Sequence, residues 1–343
     1  MKHPLNLLEL PKAELHIHLE GSIEPATAVE LAARHGIELS AIEVADRYAP
    51  GDFAQFIEAF KWVTSFLRQP DDYALIAAHL AESLIRQNVL YAEVTLSTGV
   101  MLRRKQDPLA NFAAIRDATA PFKDLRLNWI FDAARQFGAQ AAMEVARVAS
   151  SARADGVIAL GMGGDELALP ASDFQRVYEF AAGQGLHRLV HAGEIGGPEQ
   201  VRDAVELLGA ERIGHGIGAM HSEHTMDVLA ARGITLEICP TSNLRTGALA
   251  RQLAKSKAHA SEHPVGLFLR RGLSVTLGSD DPAMFETSLT REYELVRETG
   301  LSDAELKKLA ETGFTAAFLS SVERAALLKS FAQRRAPGPQ DLV

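Results

Sequence analysis

Eight short apolar runs, separated by segments of helical periodicity, constrain the fold of this 343-residue chain more than any other feature. Most of the runs are continuously apolar, which is typical of parallel strands that are covered on both faces. A strand followed by a helix, repeated along the chain, implies right-handed βαβ units, and eight of them favour a closed (β/α)8 TIM barrel over an open sheet. The predicted strands span residues 14–18, 90–96, 126–131, 157–160, 188–191, 212–215, 235–239 and 274–278.

Two regions exceed what a minimal barrel requires. Residues 19–88 follow the first strand, and we expect them to form a helical insertion with a helix beginning near Pro25. Its aromatic residues predict a local helical core, a lid that excludes water from the barrel mouth, or both; they are Phe53, Phe56, Phe60, Trp62 and Phe66. Helical periodicity after Asp303 predicts extra helices outside the barrel, and residues 334–343 are expected to fray. We therefore expect one domain, residues 1–343.

Composition narrows the possible partners and the cellular location. The net charge of −9, without Lys/Arg runs, argues against a nucleic-acid or membrane-surface partner. Cys239 is the only cysteine, which excludes an internal disulfide and a Cys-rich zinc site. There is neither a signal-type N-terminus nor an apolar stretch of about eighteen residues, so we expect a cytoplasmic protein. Nothing in the composition predicts the oligomeric state.

Histidines and carboxylates stand at the predicted ends of several strands. His16 and His18 are two apart on the first strand and point the same way. His191 and His215 end strands five and six, and Asp280 follows strand eight. Each has an ordinary explanation alone, such as a local hydrogen bond or a helix cap. Because the carboxyl ends of barrel strands share one face, their convergence favours a divalent metal with an open position for water.

The same strand ends supply groups suited to hydrolysis. A divalent ion held by neutral imidazoles and a carboxylate lowers the pKa of its water toward neutrality. His215, between two glycines, is a candidate base or electrostatic stabiliser, and Glu194 is a candidate proton donor.

Four motifs resemble the adenosine/adenine deaminase family over approximately residues 11–320: HIHLEGS at 16–22, HAGE at 191–194, GHG at 214–216 and SDDP at 279–282. The resemblance implies a zinc-dependent barrel that hydrolyses the 6-amino group of adenine compounds. It implies one zinc ion per chain, bound by His16, His18, His191 and Asp280. It further implies that Glu194 protonates the purine N1, that His215 lies beside the attacking hydroxide, that Asp281 hydrogen-bonds N7 and that the Gly164 backbone meets N3.

The substrate signals in the sequence diverge. Gly164-Asp165-Glu166 and residues 239–247 resemble the nucleoside-deaminating branch. Adenosine deaminases usually carry Asp where this chain has Glu20, at the position that contacts the sugar 5′ end, and Glu there also occurs in adenine deaminases. The extra methylene shifts the carboxylate by about an ångström. We expect a small purine nucleoside, adenosine or a 5′-modified adenosine such as 6-amino-6-deoxyfutalosine, with free adenine as the alternative.

Two other classes are weaker interpretations. One is a catalytically inactive purine-binding barrel, but no ligand or acid is missing. The other is an ester or amide hydrolase, which often carries a carboxylated lysine on strand four; that strand has no lysine here. Arg135 either shapes the site or forms a structural pair, and Cys239 is expected to be a packed strand residue. Four further histidines are interpreted as surface residues: His221, His224, His259 and His263.

Overall fold

The strands predicted from the sequence form the wall of a barrel. The computed structural model describes residues 5–49 and 51–333, and the tail that we expected to fray lies outside them. Within the described residues, eight parallel strands pair in chain order, which confirms the predicted (β/α)8 class. The His18 amide donates to the Asp280 carbonyl (2.8 Å), so the segment after the last strand returns to the first. The strands are β1 Lys12–His18, β2 Val89–Leu96, β3 Arg126–Ala134, β4 Val157–Gly163, β5 His187–Ala192, β6 Arg212–His215, β7 Thr235–Ile238 and β8 Ser274–Leu277.

Helices surround this wall, and several begin at the residues that favour a helix start. Proline occupies the first turn of the helices that begin at Pro25, Pro70, Pro108 and Pro198. The Ser302 hydroxyl accepts from the Glu305 amide at the start of the helix that begins at Asp303. None of the described helices is long and apolar enough to cross a membrane. Their bounds are α1 Pro25–Arg34, α2 Ala41–Arg47, α3 Phe53–Val63, α4 Pro70–Arg86, α5 Thr98–Arg103, α6 Pro108–Thr119, α7 Gly138–Ser151, α8 Gln175–Gly183, α9 Pro198–Glu206, α10 Glu223–Arg232, α11 Pro240–Arg245, α12 Ala248–Gln252, α13 Val265–Arg270, α14 Leu289–Glu298, α15 Asp303–Ala316 and α16 Ser321–Gln333.

The insertion after β1 holds α1 to α4, as the sequence predicts. Its aromatic residues pack locally, with Trp62 and Phe66 at 5.1 Å between ring centroids. They also reach the barrel mouth, because Phe56 of α3 lies 4.9 Å from Phe285, which follows β8. The local aromatic core is therefore present, and the lid function stays a prediction.

The C-terminal helices pack on the barrel, as expected. Phe314 of α15 and Ala317 form an apolar cluster with Leu15 of β1 and Leu90 of β2. The chain then turns at Ala317, and α16 adds Leu327 and other side chains to the same cluster.

A buried ion network spans the barrel interior. Arg212 of β6 pairs with Glu93 of β2 and with Glu237 of β7, the latter at 2.6 Å, and all three are at most 2% exposed. The end of α15 and the residues that follow it cover Arg212. Arg212 Nη1 donates to the Ala316 carbonyl (2.9 Å), and the Phe318 ring lies 3.7 Å from the guanidinium. The Phe318 amide donates to Glu93 (2.7 Å). The C-terminal segment thus depends on charges inside the barrel.

Arg212→Met should lower the free energy of unfolding by about 3–5 kcal/mol, because it leaves two carboxylates buried without their cation. The measurement is chemical denaturation of the metal-free protein followed by circular dichroism. Arg116→Met is the matched control, since Arg116 and Asp155 form an exposed pair worth about 1 kcal/mol or less. Equal losses in the two variants would contradict the importance of the buried network.

Candidate metal centre and active site

The four predicted metal ligands converge at the carboxyl ends of the strands. One ligand atom from each of His16, His18, His191 and Asp280 lies within 4.8 Å of all the others. The Asp280 Oδ1 atom is 3.4 Å from Nε2 of His16 and 3.3 Å from Nε2 of His18. Two strands, β1 and β5, and the segment after β8 therefore contribute to one cluster of donor atoms.

Backbone features make room for this cluster. A Cβ atom on Gly214 would lie 2.7 Å from the His16 ring, and one on Gly278 would lie 2.6 Å from the His16 Cβ. His215 and Asp280 both adopt φ of +61°, a left-handed conformation that costs about 1–2 kcal/mol for a residue with a side chain. Strain of this kind concentrates at functional sites, where the surrounding structure maintains it.

The donor set fits a divalent cation. Glu237 Oε2 lies 2.8 Å from Nδ1 of His16 and orients the ring, while Nε2 of His16 is buried with no hydrogen-bond partner among the described residues. Burial alone would lower the pKa of His16 and His18, but the surrounding carboxylates raise it to about 10 and about 9. The cluster thus attracts positive charge, which a metal ion would supply with neutral imidazoles. Three nitrogens and one carboxylate are a common zinc donor set.

Glu194 and His215 lie beside the ligand cluster. Nε2 of His215 is 3.7 Å from Glu194 Oε2 and 3.9 Å from Asp280 Oδ2. Burial raises the pKa of Glu194 well above its usual range, which favours the protonated carboxyl that a proton donor requires. Burial lowers the pKa of His215 to about 3, which keeps the ring neutral. The geometry therefore offers a proton donor and a neutral imidazole next to a metal site.

The loop that carries Glu194 is held by a residue whose role the sequence did not reveal. The Glu166 carboxylate accepts from the backbone N–H groups of Glu194 (3.1 Å), Ile195 (2.9 Å) and Gly196 (2.9 Å), and also from that of Gly193. The sequence analysis assigns Glu166 no role beyond its place in Gly164-Asp165-Glu166, a motif that resembles the nucleoside branch. Its glutamate acts here as an acceptor for consecutive amides of the loop after β5.

The three predicted substrate contacts line the same mouth. Gly164 has φ of +85°, and a Cβ there would lie 2.3 Å from Gln136 Oε1. Glu20 accepts from the Ser97 amide (3.0 Å) through one oxygen, and its other oxygen is buried without a partner in the described chain. The Oδ1 atom of Asp281 is likewise buried and unpaired within the described ranges. Burial, together with the charge of Asp280, raises the pKa of Asp281 well above its usual range.

Asp132 is a further buried carboxylate that the sequence analysis missed. It pairs in register with Gly161, where a Cβ would lie 2.6 Å from Asp132 Oδ1. Its Oδ2 accepts from the Gly163 amide (3.2 Å), whereas Oδ1 has no partner among the described residues. Burial raises its pKa to about 7. The predicted third strand ends at residue 131, one residue before Asp132. The glycines at the end of β4 leave room for the Asp132 side chain, and they were the feature of the sequence that could have revealed it.

Three surface assignments are confirmed, and one is wrong. His221, His224 and His259 are exposed. His263 is 8% exposed, and its Nε2 lies 3.1 Å from Asn243 Oδ1. Its ring contacts Asn243 of α11, a contact that local sequence does not reveal.

For two further residues, the sequence predicts a packed position for Cys239 and leaves Arg135 open between shaping the site and a structural pair. Cys239 is buried directly after β7, as expected. Arg135 is 4% exposed, lies 3.5 Å from the His191 carbonyl and has its guanidinium 5.8 Å from the Phe174 ring. Arg135 therefore contacts the end of β5 through the backbone carbonyl of His191.

Comparison with known proteins identifies the family. A family model described as Adenosine deaminase matches residues 11–334. The chain belongs to the adenosine deaminase family. Among its relatives, the aminodeoxyfutalosine deaminase of Streptomyces coelicolor is 39% identical over 326 residues, covering 92% of this chain and 82% of the relative. The adenine deaminase of Chelativorans sp. is 34% identical over 322 residues, covering 93% and 97%.

Solved structures agree with this assignment. The adenine deaminase of Arthrobacter aurescens superposes with a TM-score of 0.86 at 28% identity, covering 94% of this chain and 98% of that one. A Burkholderia ambifaria amidohydrolase with bound zinc gives 0.85 at 27% identity, covering 95% and 90%. The predicted family and enzyme class are thus confirmed: the protein is a hydrolase acting on carbon–nitrogen bonds, in a metal-dependent family of deaminases of adenine compounds.

Glu166→Gln should accelerate hydrogen exchange at amides 193–196 by about tenfold or more, because an amide nitrogen cannot replace a carboxylate oxygen as acceptor. Hydrogen–deuterium exchange with mass spectrometry measures the change. Asp165→Asn is the control, since Asp165 is exposed and its carboxylate accepts from the Leu167 amide (3.1 Å) and not from the 193–196 loop in the described chain. Unchanged exchange in Glu166→Gln would mean that the loop is held by other contacts.

Proposed function

We propose that this protein is a zinc-dependent deaminase that hydrolyses the 6-amino group of a 5′-extended adenine nucleoside of the aminodeoxyfutalosine type. The observation that carries the proposal is the convergence of the four ligand side chains with Glu194 and His215 at one barrel mouth. The 39% identity to an aminodeoxyfutalosine deaminase supports this substrate class.

The metal requirement follows from the donor set. His16, His18, His191 and Asp280 would hold one zinc ion. When bound, zinc lowers the pKa of a coordinated water and so supplies hydroxide near neutral pH.

The remaining side chains act on the purine. Glu194 donates its proton to N1, which makes C6 more electrophilic. His215 lies next to Glu194 and forms a hydrogen bond with the attacking oxygen. Asp281 pairs with N7, and the Gly164 backbone meets N3, so that C6 faces the metal side. Glu166 keeps the Glu194 backbone in place during the reaction.

The unpaired carboxylate oxygens favour a nucleoside over the free base. Glu20 Oε2 and Asp132 Oδ1 are buried acceptors without partners among the described residues, in addition to Asp281 Oδ1. A buried polar group that stays unpaired costs about 1–3 kcal/mol. Ribose hydroxyls would satisfy such acceptors, whereas adenine has no hydroxyl group. Free adenine is the second candidate, because relatives at 34% identity are adenine deaminases.

The function is tested by ammonia release from zinc-loaded protein with aminodeoxyfutalosine, adenosine and adenine side by side. We expect the highest kcat/KM with the 5′-extended nucleoside, and a preference for adenine would overturn the assignment. Asp132→Asn places an amide donor at the free oxygen position while keeping an acceptor for Gly163. It should lower kcat/KM for both nucleosides by at least about tenfold, the scale of one lost polar contact, and leave adenine nearly unchanged.

Two variants separate proton donation from metal binding. Glu194→Gln should keep zinc and lower turnover by at least about a hundredfold, because the general acid is lost. Asp280→Ala should lose both zinc and activity, because a ligand is removed. Zinc content is measured by elemental analysis together with ammonia release. Near-normal turnover in the first variant, or full zinc occupancy in the second, would contradict the assigned role.

A further inference from the structure

Two buried polar side chains on the Nδ1 side of His215 have no part in the proposed reaction. Asn243 of α11 is fully buried, and its Nδ2 lies 3.2 Å from His215 Nδ1. Its Oδ1 lies 3.1 Å from Nε2 of His263, which precedes α13. The three side chains form a continuous line of hydrogen bonds that ends at the active-site imidazole.

The donor and acceptor roles along these hydrogen bonds are set at His263, the residue farthest from His215. The Val265 backbone N–H can only donate, and it lies 3.3 Å from His263 Nδ1, so that nitrogen is an acceptor. Burial lowers the pKa of His263 to about 3, so the ring carries a single proton near neutral pH. That proton is therefore on Nε2, which donates to Asn243 Oδ1.

The orientation of Asn243 then sets the proton position on His215. With its oxygen engaged by His263, the Asn243 amide presents its NH2 group to His215 Nδ1. An NH2 group can only donate, so His215 Nδ1 is an acceptor. The ring proton of a neutral His215 must be on Nε2.

The groups near Nε2, on the opposite side of the His215 ring, favour the same tautomer. Two carboxyl oxygens lie near His215 Nε2: Glu194 Oε2 at 3.7 Å and Asp280 Oδ2 at 3.9 Å. An N–H group is favourable toward these oxygens, whereas a lone pair on Nε2 would repel the Asp280 carboxylate. The amide donor at Nδ1 and the Asp280 carboxylate near Nε2 thus favour the same form, with the ring proton on Nε2.

We propose that Asn243 and His263 form a positioning relay that fixes the ring proton of His215 on Nε2. The proposal rests on the proposed deaminase function and refines it. The sequence analysis left His215 as either a base or a stabiliser; with Nε2 protonated, it donates a hydrogen bond to the attacking oxygen and does not take a proton from it. Asn243 and His263 are positioning residues, because they act only through His215.

The tautomer can be read directly by nitrogen NMR. The zinc-loaded full-length chain is labelled with 15N-histidine, and His215 is assigned by the signals lost in His215→Gln. We expect a non-protonated Nδ1 and a protonated Nε2 for His215 in the unsubstituted protein. A protonated Nδ1 would overturn the relay. This measurement uses no substrate, so it stands apart from failure of the proposed deamination.

Kinetics of the relay variants provide the second readout. Asn243→Asp replaces the donor by an acceptor of the same shape, so His215 should acquire a proton on Nδ1. We expect kcat to fall at least about a hundredfold with KM within about threefold, because a wrong tautomer of a catalytic histidine is costly. An unchanged Nδ1 signal together with normal kcat in this variant would overturn the proposal.

His263 tests the far end of the relay. His263→Leu removes the donor to Asn243 and should lower kcat about tenfold or more, whereas His263→Gln offers an amide donor and should restore most of that loss. Loss of kcat to the same extent in both variants would indicate a packing role and overturn the relay. His259→Gln, at an exposed histidine of the same segment, is the control and should leave kcat unchanged.

Discussion

The carboxylate of Glu237 connects the metal ligands to the rest of the barrel. One of its oxygens pairs with Arg212 (2.6 Å) and the other meets Nδ1 of His16 (2.8 Å), all in a buried interior. A buried carboxylate is unfavourable unless it is compensated, and here a cation and an imidazole compensate it from two sides. Arg212 in turn is covered by Phe318 of the C-terminal segment. The orientation of the His16 ring, a proposed metal ligand, therefore depends on packing of the C-terminal segment against Arg212.

Carboxylates that accept from backbone amides organise the mouth in the same way. Glu166 holds the loop after β5, Asp132 holds the end of β4 through the Gly163 amide, and Glu20 holds the end of β2 through the Ser97 amide. These contacts position loops without using the groups that carry the chemistry. They also leave one oxygen of Glu20 and one of Asp132 buried and unpaired within the described chain.

Local sequence signals predicted the barrel and the residues at its strand ends. The strands were predictable because continuous apolar runs are local features, and His16, His191 and Asp280 could be grouped because parallel strand ends share one face. His263 was misassigned because its burial comes from contact with α11, which no local pattern encodes. Arg212, Glu93 and Glu237 read as isolated polar residues in strands, since only barrel closure brings β2, β6 and β7 around one interior.

The length of the Glu20 side chain gives a physical reason why this chain carries glutamate where adenosine deaminases usually carry aspartate. Its carboxylate contacts the Ser97 amide at the end of β2 (3.0 Å), and an aspartate, one methylene shorter, would fall about an ångström short of that contact. The glutamate is thereby tied to the barrel wall, and a single oxygen remains available to the substrate. A carboxylate held against the wall leaves more of the mouth open than one that projects to a 5′-hydroxyl. This arrangement suits the proposed nucleoside, whose 5′ position continues into a larger group.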